Sequence, residues 1–309
     1  MRKRLWTWGI PAVFSAAGIY AVLKSLGSFG MLLHVHPVWP DLLLVLLVYP
    51  VFAAGRGLRF RMLLHDQSTW QETVGLGWLY SAACSVLPGG LGEVSLPLIY
   101  RGAPGGAAHA TAAMAVARVQ DLLSWLVVLV IAGFAVSTLP AGSMALLGVS
   151  LAVTALGTVL VFVPPVRRAF FRLAGIIPWP RLHTFLAQID ARLGGMVYNV
   201  PSWAVAFALR ILSTLSYYLV LRAFGADVTF MEAAVGGALA ALLLTLPVQG
   251  VAGLGTVEVW WIMILRLFGT PWSVAAVAAI GVHLTLLVLS VAVGGLSFKT
   301  APRLLSSTT

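Results

Sequence analysis

The chain has 309 residues, of which 60% are hydrophobic and 9% charged, and its formal net charge is +10. A soluble domain carries about a quarter charged residues, so most of this surface must face lipid, and a β-barrel is excluded by long apolar runs in place of short alternating ones. The single cysteine, Cys84, excludes an intrachain disulfide.

A transmembrane helix needs about 20 apolar residues, and the runs are read in chain order. "MRKRLWTWGIPAVFSAAGIYAVL" combines a basic start with Trp6 and Trp8 as interfacial anchors, which predicts a retained first helix over 5–26 rather than a cleaved signal. A second helix is expected over 39–62, opened by "WPD" with Pro40 in its first turn. A broken segment follows over 72–101, interrupted at 87–92 by "LPGGLG". Helix three is expected over 107–138 and helix four over 142–163. The basic stretch "PPVRRAFFRLAGIIPWPRLHTF" leads to an amphipathic helix over 182–197, expected to lie on the membrane surface. Helix five covers 201–223, a second broken segment 231–268 with its break at 247–255, and helix six 272–298. The expectation is an all-α polytopic bundle of about six full spans plus two broken hairpins, forming one domain over 1–309.

Basic residues mark the cytoplasmic side. Arg2, Lys3 and Arg4 precede helix one; Arg56, Arg59 and Arg61 end helix two; Arg167, Arg168, Arg172 and Arg181 follow helix four; Lys299 and Arg303 follow helix six. These clusters share one face only if each broken segment enters and leaves on the same side, as a re-entrant hairpin. Both termini are then cytoplasmic, and Arg222 and Arg266 are exceptions on the outer face. The positive charge therefore speaks for topology and anionic headgroups, and no aromatic-interleaved basic segment points to nucleic acid.

An internal repeat agrees. "STWQETVGLGWL" at 68–79 parallels "VTFMEAAVGGAL" at 228–239, "GLG" at 90–92 parallels 253–255, and "AAMAVARV" at 112–119 parallels "AAVAAIGV" at 275–282. Repeat one spans about 39–163, a basic linker 164–200 and repeat two 201–299, in opposite orientations. Paired Gly/Pro-interrupted segments in inverted repeats point to a midplane binding site.

The residues that carry chemistry sit at the breaks. Pro88, Gly89, Gly90 and Gly92 relax the helix, and non-helical backbone at membrane depth must be buried in protein or line a wet cavity. Glu93 is expected in the first turn of a half-helix starting near Gly92. It either caps free N–H groups or meets an Arg, a cationic ligand group or a proton. The second break offers Gln249, Gly253, Gly255, Thr256 and Glu258 with the same two readings. Arg118 and Asp121, three apart on helix three, either join helices as an ion pair, or Arg118 holds a substrate phosphate while Asp121 orients it. Arg210 is a further intramembrane candidate. Arg56, Arg59 and Arg61 are stop-transfer charges or gather anionic headgroups at a cytoplasmic mouth, the latter fitting Arg59 better than Arg61. Arg101 stands at the exit of the first hairpin, and His283 aligns near Arg118 in the second repeat as a hydrogen-bonded intramembrane histidine.

No catalytic inventory emerges. The six histidines form no metal site beyond the loose His34/His36 pair, and no Walker loop, G-x-S-x-G or CxxC is present. No cofactor is implied, and any transport would draw on a gradient, mass action or a partner.

"LRFRMLL", "LPGGLGEVSLPLIYR", "ARVQDLLSWLVVL" and "LPVQGVAGLGTVEVWWIMILRLFG" resemble the lysylphosphatidylglycerol synthase transmembrane-region family, the flippase-like integral membrane proteins. The chain departs from that pattern in the residues between Pro247 and Gly253, in Ala117 before Arg118, and near His283, where the family carries an Arg. The resemblance implies a stand-alone bacterial inner-membrane lipid translocase, not an enzyme, that moves an anionic or glycosylated phospholipid or a polyprenyl-phosphate lipid. The residues expected to line its path are Glu93, Arg101, Arg118, Asp121, Glu258, Arg59, Gln249, Gly90, Gly92, Gly253, Gly255 and His283. The alternative is a non-transporting membrane subunit that docks a lipid-modifying enzyme or glycosyltransferase.

Overall fold

The computed structural model describes residues 37–102, 106–136, 148, 151–152, 155–159, 162–174, 180–243 and 250–300. The expected first helix, most of the fourth, the His34/His36 pair, Pro247 and Gln249 lie outside the described residues. Those described are helical throughout, with no strand among them.

Helix α1 spans Trp39–Leu64 and ends where His65 turns left-handed (φ 49°), its N–H donating to the Arg61 carbonyl. Pro40 in the first turn has no N–H to leave unsatisfied there. Helix α2 (Trp70–Val86) starts with a capping box: the Glu72 N–H donates to Thr69 Oγ1 at 3.3 Å, and the Thr69 N–H donates to the Glu72 carboxylate at 2.8 Å. α1 and α2 cross very closely, because a Cβ on Gly57 would strike the Thr73 carbonyl and one on Gly77 the Ala53 carbonyl.

The first break then runs as a 3-10 turn over Pro88–Val94, a one-turn helix α3 (Ser95–Ile99) and a second 3-10 turn over Tyr100–Gly102. The expected half-helix from Gly92 is therefore corrected. Regular helix begins only at Ser95, and Glu93 sits near the end of the 3-10 turn. The cause is Gly92, which folds against α2 so tightly that a Cβ would meet the Cys84 backbone. The segment returns to where it left: the Tyr100 hydroxyl donates to Asp66, in the α1–α2 loop, at 2.6 Å.

Helix α4 (Gly106–Ala135) follows, then α5 (Pro164–Ala174) and α6 (Pro180–Val197). α6 matches the amphipathic helix expected over 182–197, but its apolar edge does not face lipid. Ile189, Leu193, Met196 and Val197 are buried in the core that α6 shares with α1 and α4. Arg192 reinforces the dock by donating to His109 Nδ1 at 2.8 Å, which leaves the Nε2–H for the Leu64 carbonyl at 3.3 Å.

Helix α7 (Val200–Ala223) runs antiparallel to α1, since the Val38 N–H donates to the Ala223 carbonyl at 2.9 Å. Arg222 forms an ion pair with Asp41 at 3.5 Å, so this exception to the charge rule is locally compensated. Helix α8 (Phe230–Leu243) opens on a second capping box, with the Glu232 N–H to Thr229 Oγ1 at 3.2 Å and the Thr229 N–H to Glu232 at 2.7 Å. A 3-10 turn over Val251–Gly253, helix α9 (Thr256–Leu267) and helix α10 (Trp272–Thr300) complete the bundle. The Arg266 guanidinium donates to the Thr270 carbonyl at 2.9 Å, closing the α9–α10 corner.

Packing alternates between the two halves. α2 lies against α10, α8 lies against α4, and α1 against α7. The two 3-10 turns, Pro88–Val94 and Val251–Gly253, meet between them. Among the described residues, Trp39–Leu64, Gly106–Ala135, Val200–Ala223 and Trp272–Ser297 are long and apolar enough to cross a membrane. The protein is a multi-pass membrane protein.

Candidate functional site

Where the two breaks meet, the bundle encloses a cavity of about 720 Å³. Arg118 and Asp121 on α4, Arg210 and Ser213 on α7 and His283 on α10 reach it from near the middles of those helices; Tyr49 and Arg56 reach it from α1. Glu93 enters from the first break, and Ala252 and Gly253 from the second. The lining also includes the apolar side chains of Leu87, Leu122, Leu286 and Leu287.

Charges inside a membrane protein must find partners. Asp121 takes two: Arg59 donates to both of its oxygens, at 2.5 and 3.2 Å, and Arg210 donates to Oδ1 at 3.0 Å. Arg59 is only 1% exposed, so this bidentate pair is its means of being charged there. Arg210 also lies over the Trp125 ring at 4.9 Å. Arg118 turns the other way and pairs with Glu93 through Nε at 2.8 Å and through Nη2. Its side chain remains 43% exposed.

Arg56 differs. It donates to Ser81 Oγ at 3.2 Å and lies over the Tyr80 ring at 4.5 Å, but no described carboxylate comes within ion-pair distance. Four guanidinium groups (Arg56, Arg59, Arg118 and Arg210) thus face two carboxylates (Glu93 and Asp121), and two positive charges are left over around the cavity. The opposite wall holds a second buried pair, with His283 Nδ1 2.8 Å from Glu258 Oε1 and His283 Nε2 2.8 Å from the Ala252 carbonyl.

A family model described as the lysylphosphatidylglycerol synthase TM region matches residues 7–294. The chain belongs to this family. Membership makes it a membrane region with a lipid-related role. No curated protein and no solved structure matches the chain.

In this family member the expected site residues divide by position. Glu93, Arg118, Asp121, Gly253 and His283 line the cavity directly. Arg59 stands behind Asp121 and Glu258 behind His283, each one bond from the lining. Gly92 shapes the first turn against α2, and Gly255, with φ 79°, caps α9. Gly90 belongs to the same first 3-10 turn. Arg101 is exposed in the Tyr100–Gly102 turn and does not line the cavity. Gln249 lies outside the described residues. The Arg118–Asp121 pair weighed from their spacing does not form; each carboxylate is held from a different helix or break instead.

Sequence reasoning missed Arg56 as a lining group and gave Arg210 little weight. The signal was present. "GRGLRFRMLL" stays apolar to Leu64, so Arg56 and Arg59 lie more than a turn inside the helix end, unlike Arg61, which meets Trp70 and Thr73 at that end.

Proposed function

We propose that this protein moves lipids with anionic headgroups between the leaflets of the bacterial inner membrane, the headgroup passing through the cavity while its chains stay in lipid. The observation that carries the reading is the surplus positive charge left by Arg56 and by the Arg59–Asp121–Arg210 group around a cavity whose lining is partly apolar. Guanidinium groups suit phosphate oxygens. A phosphodiester or polyprenyl-phosphate headgroup, with or without a sugar, matches the chemistry, and Ser213, Ser216 and Tyr217 supply hydroxyls for a polar headgroup beyond the phosphate. The protein acts here as a translocase and not as an enzyme.

The packing supports two inverted repeats with re-entrant hairpins. Each broken segment begins on a Thr–x–x–Glu capping box, the first is tied back to its own start by the Tyr100–Asp66 hydrogen bond, and each lies against a long helix of the other half. Under this topology the α1 C-terminus and the α10 C-terminus lie on the cytoplasmic side, with both chain ends.

The test uses purified protein in phosphatidylcholine vesicles carrying fluorescent phosphatidylglycerol, with outer-leaflet probe bleached by an impermeant reductant. The wild type equilibrates the probe between leaflets. Arg56→Ala and Arg118→Ala slow the transfer about 10-fold or more, as loss of a charge-assisted contact of about 1.5–3 kcal/mol requires. Transfer by both variants at the wild-type rate would refute the assigned path. No transfer by the wild type, with a lipid-modifying enzyme or glycosyltransferase co-purifying, would favour a docking subunit.

A further inference from the structure

The buried Glu258–His283 pair is not needed to neutralise the arginines, and its hydrogen bonds set a constraint of their own. Glu258 is 5% and His283 7% exposed. The His283 Nε2 faces a backbone carbonyl, which can only accept, so that nitrogen must carry a hydrogen. At 2.8 Å the Nδ1 faces Glu258 Oε1, and a hydrogen must lie between these atoms too. Either an imidazolium donates to a carboxylate, or a carboxylic acid donates to an imidazole. Both arrangements hold the same two hydrogens. Glu258 Oε2 is buried without a partner, so nothing else stabilises an isolated carboxylate.

Removing one hydrogen breaks one of the two contacts. If the remaining one stays on Nε2, the Nδ1 lone pair confronts the Glu258 carboxylate. If it moves to Nδ1, the Ala252 carbonyl loses its donor. Ala252 is a non-glycine residue in the left-handed region, with φ 52° and ψ 21°. Such a conformation costs about 1 kcal/mol or more and persists only where its surroundings hold it. The His283 Nε2–H holds the Ala252 carbonyl itself, beside the Gly253 N–H to Gly250 carbonyl bond at 3.0 Å and the Gly250 N–H to Thr256 Oγ1 bond at 2.9 Å that close the turn.

We propose that Glu258 and His283 form a single-proton site, loaded when an anionic headgroup occupies the cavity, whose loaded state holds the second break in shape. The proton is exchanged with water in the cavity, and no bond other than those to that hydrogen changes. Across the cavity His283 faces Tyr49 and Arg56 on α1, Cys84 on α2, Glu93 on the first break, Arg118 and Asp121 on α4, and Arg210 and Tyr217 on α7. That set, with Arg59 behind Asp121, carries surplus positive charge. An anionic headgroup cancels it and favours loading, and by reciprocity loading tightens the hold on the headgroup. Headgroup occupancy, proton uptake and the shape of the Val251–Gly253 turn thus become one equilibrium. The anion linkage rests on the cavity being a headgroup site; the proton site and its hold on Ala252 do not.

The experiment uses full-length protein in phosphatidylcholine nanodiscs, with and without phosphatidylglycerol as the anionic probe. ¹⁵N-histidine spectra, with His283 assigned by its loss in His283→Gln, report its protonation. Amide exchange over 250–258, corrected for intrinsic pH dependence, reports the turn. We expect both His283 nitrogens to be protonated below a midpoint, and protection of 250–258 to fall above it. The midpoint rises when phosphatidylglycerol is added, and affinity for that lipid increases as pH falls, by no more than about tenfold per pH unit for one linked proton. Glu258→Gln lets a neutral amide donate to Nδ1, and protection becomes independent of pH. Protection indifferent to pH in the wild type, or an unchanged titration in Glu258→Gln, overturns the proton site. A midpoint indifferent to phosphatidylglycerol, in protein that still transfers it between leaflets, overturns the anion linkage alone. A proton switch that operates in protein transferring no lipid overturns the translocase reading instead.

Discussion

Two arginines one helical turn apart on α1 have opposite roles, and the difference lies in what each meets. Arg59 is clamped by Asp121, which also binds Arg210, so one carboxylate compensates two guanidinium groups from different helices. Asp121→Asn removes the one carboxylate that, among the described residues, pairs with both. Breaking a buried ion pair from one side costs about 3–5 kcal/mol, and the variant should melt well below the wild type in detergent. Arg56 has no such partner, and Arg56→Ala should leave the melting temperature close to that of the wild type while lipid transfer falls. Equal loss of stability in the two variants would show that Arg56 is structural after all. The spacing of Arg118 and Asp121 suggested a pair that the fold does not make. Spacing places residues on one face of a helix, whereas the partner in space comes from the turn and the neighbouring helices.

At the scale of elements, much was legible. Trp39 with Pro40, the break at Leu87 and Pro88, and the ends of α7 and α10 fall within a few residues of their sequence signals, because helix breakers and apolar runs are local properties. The matching of Thr69 with Thr229 and of Glu72 with Glu232 was also visible, although the physical reason, a capping box, emerges from the hydrogen bonds. The conformation of the breaks was not legible. Whether Gly92 starts a helix or a 3-10 turn depends on its approach to Cys84, which no local pattern encodes. The docking of α6 was hidden for a similar reason. An amphipathic face suits a membrane surface and a protein groove equally well. If the two caps are equivalent devices, Thr69→Ala and Thr229→Ala should each cost about 1 kcal/mol and loosen amide protection in the first turns of α2 and α8. An effect confined to one of them would break the equivalence.

For the whole molecule, the decisive feature is that each broken segment takes part of its cover from the other half, α2 from α10 and α8 from α4. Ser290 on α10 donates to Ser85 on α2 at 2.9 Å, across 205 residues of chain. In a Cys84→Ala background, Ser85→Cys with Ser290→Cys should crosslink under mild oxidation, read as a joined peptide by mass spectrometry. If transfer requires the breaks to part, the oxidised protein should be slower and reductant should restore it; an undiminished rate would mean that they need not separate there. The same exchange of partners governs biosynthesis. α10 is the last described helix to leave the ribosome, and α2, made some 200 residues earlier, packs on α1 but lacks its α10 cover until then. Until α10 arrives, the face of α2 that it covers stands open to lipid and to membrane proteases. A chain truncated after residue 268 should therefore be cut first in or beside α2, far from its new end, which pulse-labelling followed by peptide mapping would reveal. In this protein, quality control of the C-terminus is exercised at the N-terminal half.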